Sequence, residues 1–169
     1  MFLRLSVVLG ALVAGACALS CSSKYEGKLQ VRIGNKTHGV GADFNTGKGA
    51  KAVFSECRGK GVPSMMVDGV SFGKMHVDGK CVTQYADNGT LWLETHECAD
   101  NTDEVLKTQL LQFTYQTGDA MIAGYSDKHY YPFVRLDGNR VVLGSQSSNI
   151  SDQLQMKRPQ RTGGKNDTE

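Results

Sequence analysis

The sequence has little of what usually indicates a nucleic-acid partner or an elongated architecture. Proline occurs only 3 times and tryptophan once in 169 residues, and 19 basic residues face 17 acidic ones. A formal charge of +2 provides no electrostatic footprint for nucleic acid or for an anionic membrane surface. The apolar fraction of 40% is that of an ordinary globular domain, and the length suits a single one.

Patterns that indicate cofactors or metal ions are also missing from the sequence. It has no P-loop and no glycine-rich dinucleotide fingerprint between a strand and a helix. The cysteines never occur as C-x-x-C, and the four histidines never occur at a ligand spacing such as H-E-x-x-H. We therefore expect no cofactor and no metal ion, and we do not expect an enzyme.

The N-terminus has the three-part layout of a secretory signal peptide. A short basic start ends at Arg4, an apolar run follows from Leu5 to Ala14, and Ala16-Cys17-Ala18 matches an A-x-A cleavage site. We expect residues 1–18 to be removed and the protein to be secreted. An N-terminal anchor helix and a bacterial lipoprotein cysteine are the alternatives. No later segment is apolar enough to predict a membrane span.

Cysteine and asparagine positions fit an exported chain. Four of the five cysteines follow the predicted cleavage site, which suggests two disulfides with three possible connectivities. Four N-x-S/T sequons predict a glycosylated surface. The cysteines are Cys21, Cys57, Cys81 and Cys98, and the sequons start at Asn35, Asn88, Asn149 and Asn166.

Short β-type runs separated by glycine-rich turns predict an all-β domain over residues 19–157, with about twelve short strands and little or no helix. Two pairs of segments indicate an internal repeat: Phe54–Cys57 with Thr95–Cys98, and Leu111–Phe113 with Leu154–Met156. Their offsets divide the domain into units at 24–67, 68–116 and 117–157. Three four-stranded units predict a β-trefoil, followed by a disordered polar tail over 158–169.

Residues 79–122 resemble a repeat of the ricin-B-type lectin family. The resemblance is carried by the segments Gly79–Val82, Asn88–Leu93, Glu97-Cys98 and Leu111–Tyr115, followed by Gly118 and Met121-Ile122. Two departures stand out in this unit. The Q-x-W motif of the family reads Leu111-Gln112-Phe113, and Thr83 stands where a sugar-binding repeat carries aspartate. Phe113 takes the position of the family's core tryptophan, so the resemblance implies that its ring fills a core position.

The resemblance implies a Cys81–Cys98 disulfide, which leaves Cys21 and Cys57 as the second pair. It also implies a secreted, non-enzymatic β-trefoil that binds carbohydrate through its middle unit. The residues implied for that site are Trp92, Glu94, His96 and Asn101. The first three share one face of a strand by parity, and we expect that face to point to solvent.

A protein-binding trefoil such as a secreted protease inhibitor is the alternative function. Trefoil inhibitors bind through one projecting loop, and the candidate loops here are Arg58–Pro63 and Asp127–Tyr131. The expected partner is therefore either a glycan or an extracellular protein.

Overall fold

The computed structural model describes residues 19–64, 68–88, 90–115, 118–126, 129–145 and 152–162. Over these residues the chain is all-β with little helix, as the sequence predicts. A three-residue α-helical turn, α1 (Thr102–Glu104), continues into a wider π-helical turn over Val105–Gln109. The thirteen strands are β1 (Ser20–Ile33), β2 (Lys36–Val40), β3 (Thr46–Gly47), β4 (Lys51–Arg58), β5 (Val70–Val77), β6 (Lys80–Asp87), β7 (Thr90–His96), β8 (Leu111–Thr114), β9 (Ala120–Ser126), β10 (His129–Tyr131), β11 (Phe133–Asp137), β12 (Arg140–Gly144) and β13 (Gln153–Arg161).

Six of these strands close into an antiparallel barrel. Around the barrel β1 pairs with β4, β4 with β5, β5 with β8, β8 with β9, β9 with β13, and β13 again with β1. Closure is possible because β1 is 14 residues long. It pairs with β4 over residues 20–28 and with β13 over residues 25–32. A closed barrel leaves no open sheet edge among these six strands.

Aromatic rings from three different barrel strands stack in the core. Phe113 of β8 lies with its ring centroid 4.5 Å from that of Phe54 in β4 and 5.0 Å from that of Tyr25 in β1. Phe113 is only 1% exposed, so its predicted place in the core is confirmed. Such stacked pairs add to the stabilisation that burial of their apolar area already provides.

Four further strands form an outer sheet in the order β11-β12-β7-β6. Its inner side is apolar, since Leu91, Leu93, Val141 and Leu143 are all fully buried. The turn between β6 and β7 begins at Asn88, whose φ of 46° is one that asparagine tolerates better than most residues. The outer sheet joins the barrel where the first residues of β6 pair with the last residues of β5.

The predicted β-trefoil of three like units is wrong: the structure is a closed six-stranded barrel with extra strands outside it. The three thirds of the described chain hold four, four and five strands. The segments Phe54–Cys57 and Thr95–Cys98, which indicated the repeat, occupy different places: one lies in barrel strand β4, the other ends outer strand β7. The two segments look alike partly because each ends in a cysteine. Cys57 and Cys98 belong to different disulfides, so this likeness does not show that the segments are structurally equivalent.

Both implied disulfides are present. Cys21 is bonded to Cys57 and Cys81 to Cys98, with sequence separations of 36 and 17 residues. The predicted boundary at Lys157 differs from the structure, in which β13 continues to Arg161 and Thr162 still donates its backbone N–H to the carbonyl of Lys24. Polar residues can extend this strand, because the ladder hydrogen bonds between paired strands come from the backbone and do not require apolar side chains.

Two predictions made at the chain ends fall largely outside the described residues. The predicted signal peptide, 1–18, lies wholly beyond them, and so do residues 163–169 of the predicted tail. Of the four sequon asparagines, Asn35 and Asn88 are exposed, whereas Asn149 and Asn166 are not among the described residues. Among the helices that are described, none has the length and apolar character to cross a membrane.

We expect Phe113→Ala to destabilise the fold by about 3–5 kcal/mol, since it removes the central ring of the core stack and leaves a cavity. That is a large share of the 5–15 kcal/mol typical of a domain. Denaturant unfolding of the variant measures the loss. Leu136→Ala, at a side chain that is 36% exposed, is the control and should change the free energy of unfolding by less than about 0.5–1 kcal/mol. Equal stability of the two variants would place Phe113 outside the core.

Candidate functional site

The outer sheet exposes one face that carries polar and aromatic side chains together. Strand β7 alternates, with Leu91 and Leu93 buried and with Trp92 and Glu94 partly exposed before the exposed His96. The sequence-based expectation that these three residues share the solvent side of their strand is confirmed. We call this surface, together with Tyr85 of β6 and Arg140 of β12, the Trp92 face.

Glu94 is the centre of the polar contacts on the Trp92 face. Arg140 Nη2 donates to Glu94 Oε1 at 2.9 Å, and His96 Nε2 donates to Glu94 Oε2 at 3.0 Å. The Tyr85 hydroxyl lies 3.2 Å from the same histidine nitrogen. Each carboxylate oxygen therefore has one protein donor and keeps a free lone pair for a ligand.

Aromatic groups flank this carboxylate on two strands. The Arg140 guanidinium carbon lies 5.1 Å from the centroid of the Trp92 ring, a cation–π contact. Tyr85 pairs directly with Trp92 across the β6–β7 hairpin and is 45% exposed. Tyr85, Trp92, Glu94 and Arg140 line an open concavity of about 450 Å³. A ligand can thus contact aromatic rings, a carboxylate and a guanidinium in one place.

Buried amide side chains hold the hairpin under this face. Gln84 Nε2 donates to the Leu110 carbonyl at 2.5 Å, and its Oε1 accepts from the Tyr125 backbone N–H at 2.9 Å. Gly124 permits the close approach of the hairpin to β9, because a Cβ there would lie 2.1 Å from Leu91 Cδ2. The hairpin is therefore fixed to the barrel by directional bonds as well as by apolar packing.

Thr83, at the position where sugar-binding repeats of the resembling family carry aspartate, lies beneath the surface. It is 5% exposed, and Gln109 Nε2 donates to its hydroxyl at 3.1 Å. The same carboxamide donates to the Glu97 carbonyl and accepts from the Ala99 backbone N–H. Thr83 thus contributes to the support of the segment after β7 and does not contact solvent at the concavity.

Of the four implied site residues, Trp92 and Glu94 line the concavity and His96 is bonded to Glu94, whereas Asn101 makes other contacts. Its Oδ1 accepts from the Glu104 backbone N–H at 2.7 Å, and its Nδ2 donates to Glu104 Oε2 at 2.9 Å. These are the contacts of a helix N-cap, here on α1. The side chain therefore has a local structural role.

Tyr85 and Arg140 are members of the Trp92 face that the sequence analysis missed. Tyr85 could have been found from the sequence, since a turn at Asn88-Gly89 pairs Asp87 with Thr90 and therefore Tyr85 with Trp92. Arg140 could not have been found in this way, because it lies 46 residues away from Glu94 in sequence. Only the pairing of β12 with β7 brings it to the site.

Two other arrangements in the chain resemble chemical sites without forming them. Gly69-Val70-Ser71-Phe72-Gly73 has the letters of a G-x-S-x-G motif, but it belongs to a turn and to strand β5, which runs on to Val77 with no strand-to-helix elbow. Among the described residues one group has metal-ligand character, His76 with Cys81 and Cys98. Its two sulfurs are bonded to each other, which removes them as thiolate ligands.

Hydrogen bonds from His96 and then from Arg140 hold the pKa of the Glu94 carboxyl below its ordinary value. The ionised carboxylate is therefore favoured in the folded state. That preference is fully present above the ordinary carboxyl pKa and is lost as the pH falls through the lowered one. Because Glu94 is exposed, solvent screens the effect on stability.

We expect His96→Ala and Arg140→Gln each to raise the pKa of Glu94, since each removes one hydrogen-bond donor from the carboxylate. A titration of the carboxyl carbon followed by NMR measures the shift. Arg135→Gln is the matched control, because the Arg135 side chain donates to Thr90 Oγ1 at 2.7 Å and not to Glu94. A Glu94 pKa unchanged in both test variants would contradict the contacts described for the Trp92 face.

Comparison with known proteins gives no identification of the chain. No protein-family model, no curated protein and no solved structure matches it. The functional assignment below therefore rests on the residues of this chain and on the geometry of the Trp92 face.

Proposed function

We propose that this chain is an exported, non-enzymatic carbohydrate-binding protein and that the Trp92 face is its binding site. The observation that carries the proposal is the grouping of Tyr85, Trp92, Glu94 and Arg140 around one open concavity, with His96 bonded to Glu94. This set combines flat apolar surface with both donors and acceptors of hydrogen bonds.

A sugar ring has complementary chemistry. The C–H groups on one side of a pyranose pack on an aromatic ring, and its hydroxyls both donate and accept hydrogen bonds. On the Trp92 face the exposed Tyr85 ring offers the apolar platform. Glu94 accepts from hydroxyls through its remaining lone pairs, and Arg140 donates to hydroxyl oxygens through its other N–H groups, while the His96 Nε2–H stays on Glu94.

The polar groups are also fixed before a ligand arrives. Glu94 is held from two sides by Arg140 and His96, and Arg140 is held over the Trp92 ring. A site whose side chains are already ordered loses less conformational entropy on binding. The open shape of the concavity suits a terminal sugar or a short oligosaccharide presented from solution.

The sequence supports export independently of this geometry. A signal-peptide pattern precedes residue 19. The two disulfides are compatible with an extracellular protein. Together these features favour secretion.

The test replaces Glu94 and His96 together with alanine and measures binding to a glycan array. We expect the wild-type protein to bind a subset of glycans and the double variant to lose at least about tenfold in affinity, which corresponds to the 1.4 kcal/mol or more expected from lost hydrogen bonds to a charged group. Glu26→Ala with His38→Ala is the matched control, because it removes a half-buried, ion-paired carboxylate from β1 and an exposed imidazole from β2, both outside the Trp92 face.

The control should bind like the wild type, and circular dichroism should show that both double variants are folded. Undiminished binding by the folded Glu94/His96 variant would exclude the Trp92 face as the site. A wild-type protein produced without N-linked glycans that binds no glycan on the array would overturn the proposed function.

Protease inhibition is a second candidate, favoured by the segment that follows Cys57. Arg58 has a side chain that is 82% exposed, and Lys60 is exposed two residues later. The segment is anchored at its start by the Cys21–Cys57 disulfide and borders a separate concavity of about 410 Å³. An anchored, exposed basic loop is suited to a protease that cleaves after basic residues.

The other loop that the sequence suggested, Asp127–Tyr131, is only partly described: residues 127–128 are outside the described part, and His129–Tyr131 form β10. Inhibition assays with a trypsin-like protease test the second candidate. If the protein is a protease inhibitor, Arg58→Ala or Lys60→Ala weakens inhibition at least about tenfold, as expected for a residue that anchors an interface. Absence of inhibition by the wild-type protein would exclude it.

A further inference from the structure

Asn88 stands at the tip of the hairpin that carries the Trp92 face. It begins the sequon Asn88-Gly89-Thr90, is exposed, and follows directly on Asp87, the last residue of β6. Its φ of 46° is that of a tight turn between β6 and β7. The sequon thus meets the first requirement for N-glycosylation, an accessible asparagine on a surface turn.

The binding face begins within a few residues of this asparagine. Tyr85 precedes Asn88 by three strand positions, which at about 3.3 Å per residue is roughly 10 Å. Asp87 pairs with Thr90 and Tyr85 pairs with Trp92, so these four side chains lie on one side of the hairpin. An N-linked glycan is a branched chain larger than this separation.

The space around the hairpin directs such a glycan towards the Trp92 face. On the inner side of the hairpin Leu91 and Leu93 are completely buried against the rest of the protein. On the other side Tyr85 and His96 are exposed, and the concavity is open to solvent. A bulky group at the tip therefore has free volume on the ligand-binding side.

We propose that Asn88 carries an N-linked glycan and that this glycan competes with external carbohydrate for the Trp92 face. The inference rests on the proposed function, because the attached sugars would occupy or cover the same Trp92 face that binds external carbohydrate. A flexible tether of this length gives an effective concentration on the order of millimolar. Single sugar sites of this open kind bind weakly, so a tethered competitor at that concentration lowers the apparent affinity several-fold.

The experiment compares protein secreted from cells that perform N-glycosylation, with and without the sequon at residue 88. Asn88→Gly removes the acceptor and suits the positive φ, so it leaves the turn unstrained. Asn35→Gly is the matched control, because Asn35 also starts a sequon in an exposed hairpin turn, between β1 and β2. Intact-protein mass spectrometry determines the occupancy of both sites, and the glycan array measures binding.

We expect Asn88 to be occupied and Asn88→Gly to bind its array ligands at least about threefold more tightly than wild type, with Asn35→Gly unchanged. Trimming the wild-type glycan to a single sugar with an endoglycosidase should give the same gain without any substitution. An unoccupied Asn88, or unchanged or weaker binding after its glycan is removed, would overturn this inference and leave the proposed function standing. Failure of both wild type and Asn88→Gly to bind any glycan would overturn the two together.

Discussion

Pairing of the long strand β1 on both of its sides is the constraint on which the rest of the structure depends. Its first half pairs with β4 and its second half with β13, which closes the barrel. Closure brings Tyr25 of β1 against Phe113, which in turn stacks on Phe54. The Cys21–Cys57 disulfide joins β1 to β4 at the end where this pairing starts. Backbone pairing, aromatic packing and a covalent bond thus act on the same strand.

The outer sheet depends on the barrel for its position but not for its surface chemistry. The buried carboxamide of Gln84 connects β6 to the carbonyl of Leu110 and the backbone of Tyr125. A buried amide without these partners would cost about 1–3 kcal/mol, so the bonds favour one placement of the hairpin over others. The opposite side of the hairpin is left free for polar and aromatic residues. One side of the hairpin therefore holds it to the barrel, and the other side is free to carry an exposed site.

The sequence predicted the parts of the site that are set locally. Alternation of Leu91 and Leu93 with Trp92 and Glu94 specifies which residues share a face, because a strand reverses its side-chain direction at every residue. It could not predict Arg140, since nothing near Glu94 in sequence indicates that β12 pairs with β7. Asn101 was misplaced for a similar reason: the short turn that it caps draws its side chain into local hydrogen bonds.

The same contrast applies to the fold. Periodicity and turn residues were sufficient for an all-β chain, and strand alternation with the position of the family's core tryptophan was sufficient for a core position at Phe113. The arrangement of strands was not predictable from the spacing of similar segments. Cys57 and Cys98 resemble each other in sequence context, but Cys57 lies in barrel strand β4 and Cys98 follows outer strand β7. Strand order is decided by long-range pairing, which short motifs do not encode.

The Cys81–Cys98 disulfide has a consequence for the fate of the protein once it meets proteases. One cysteine lies near the start of β6 and the other just after β7, so the bond encloses the whole hairpin. A peptide bond cut anywhere between them opens the chain without releasing a fragment. The two pieces stay covalently attached and remain side by side through the β6–β7 ladder. A nicked molecule of this kind keeps its mass, apart from one added water, and separates into two chains only after reduction.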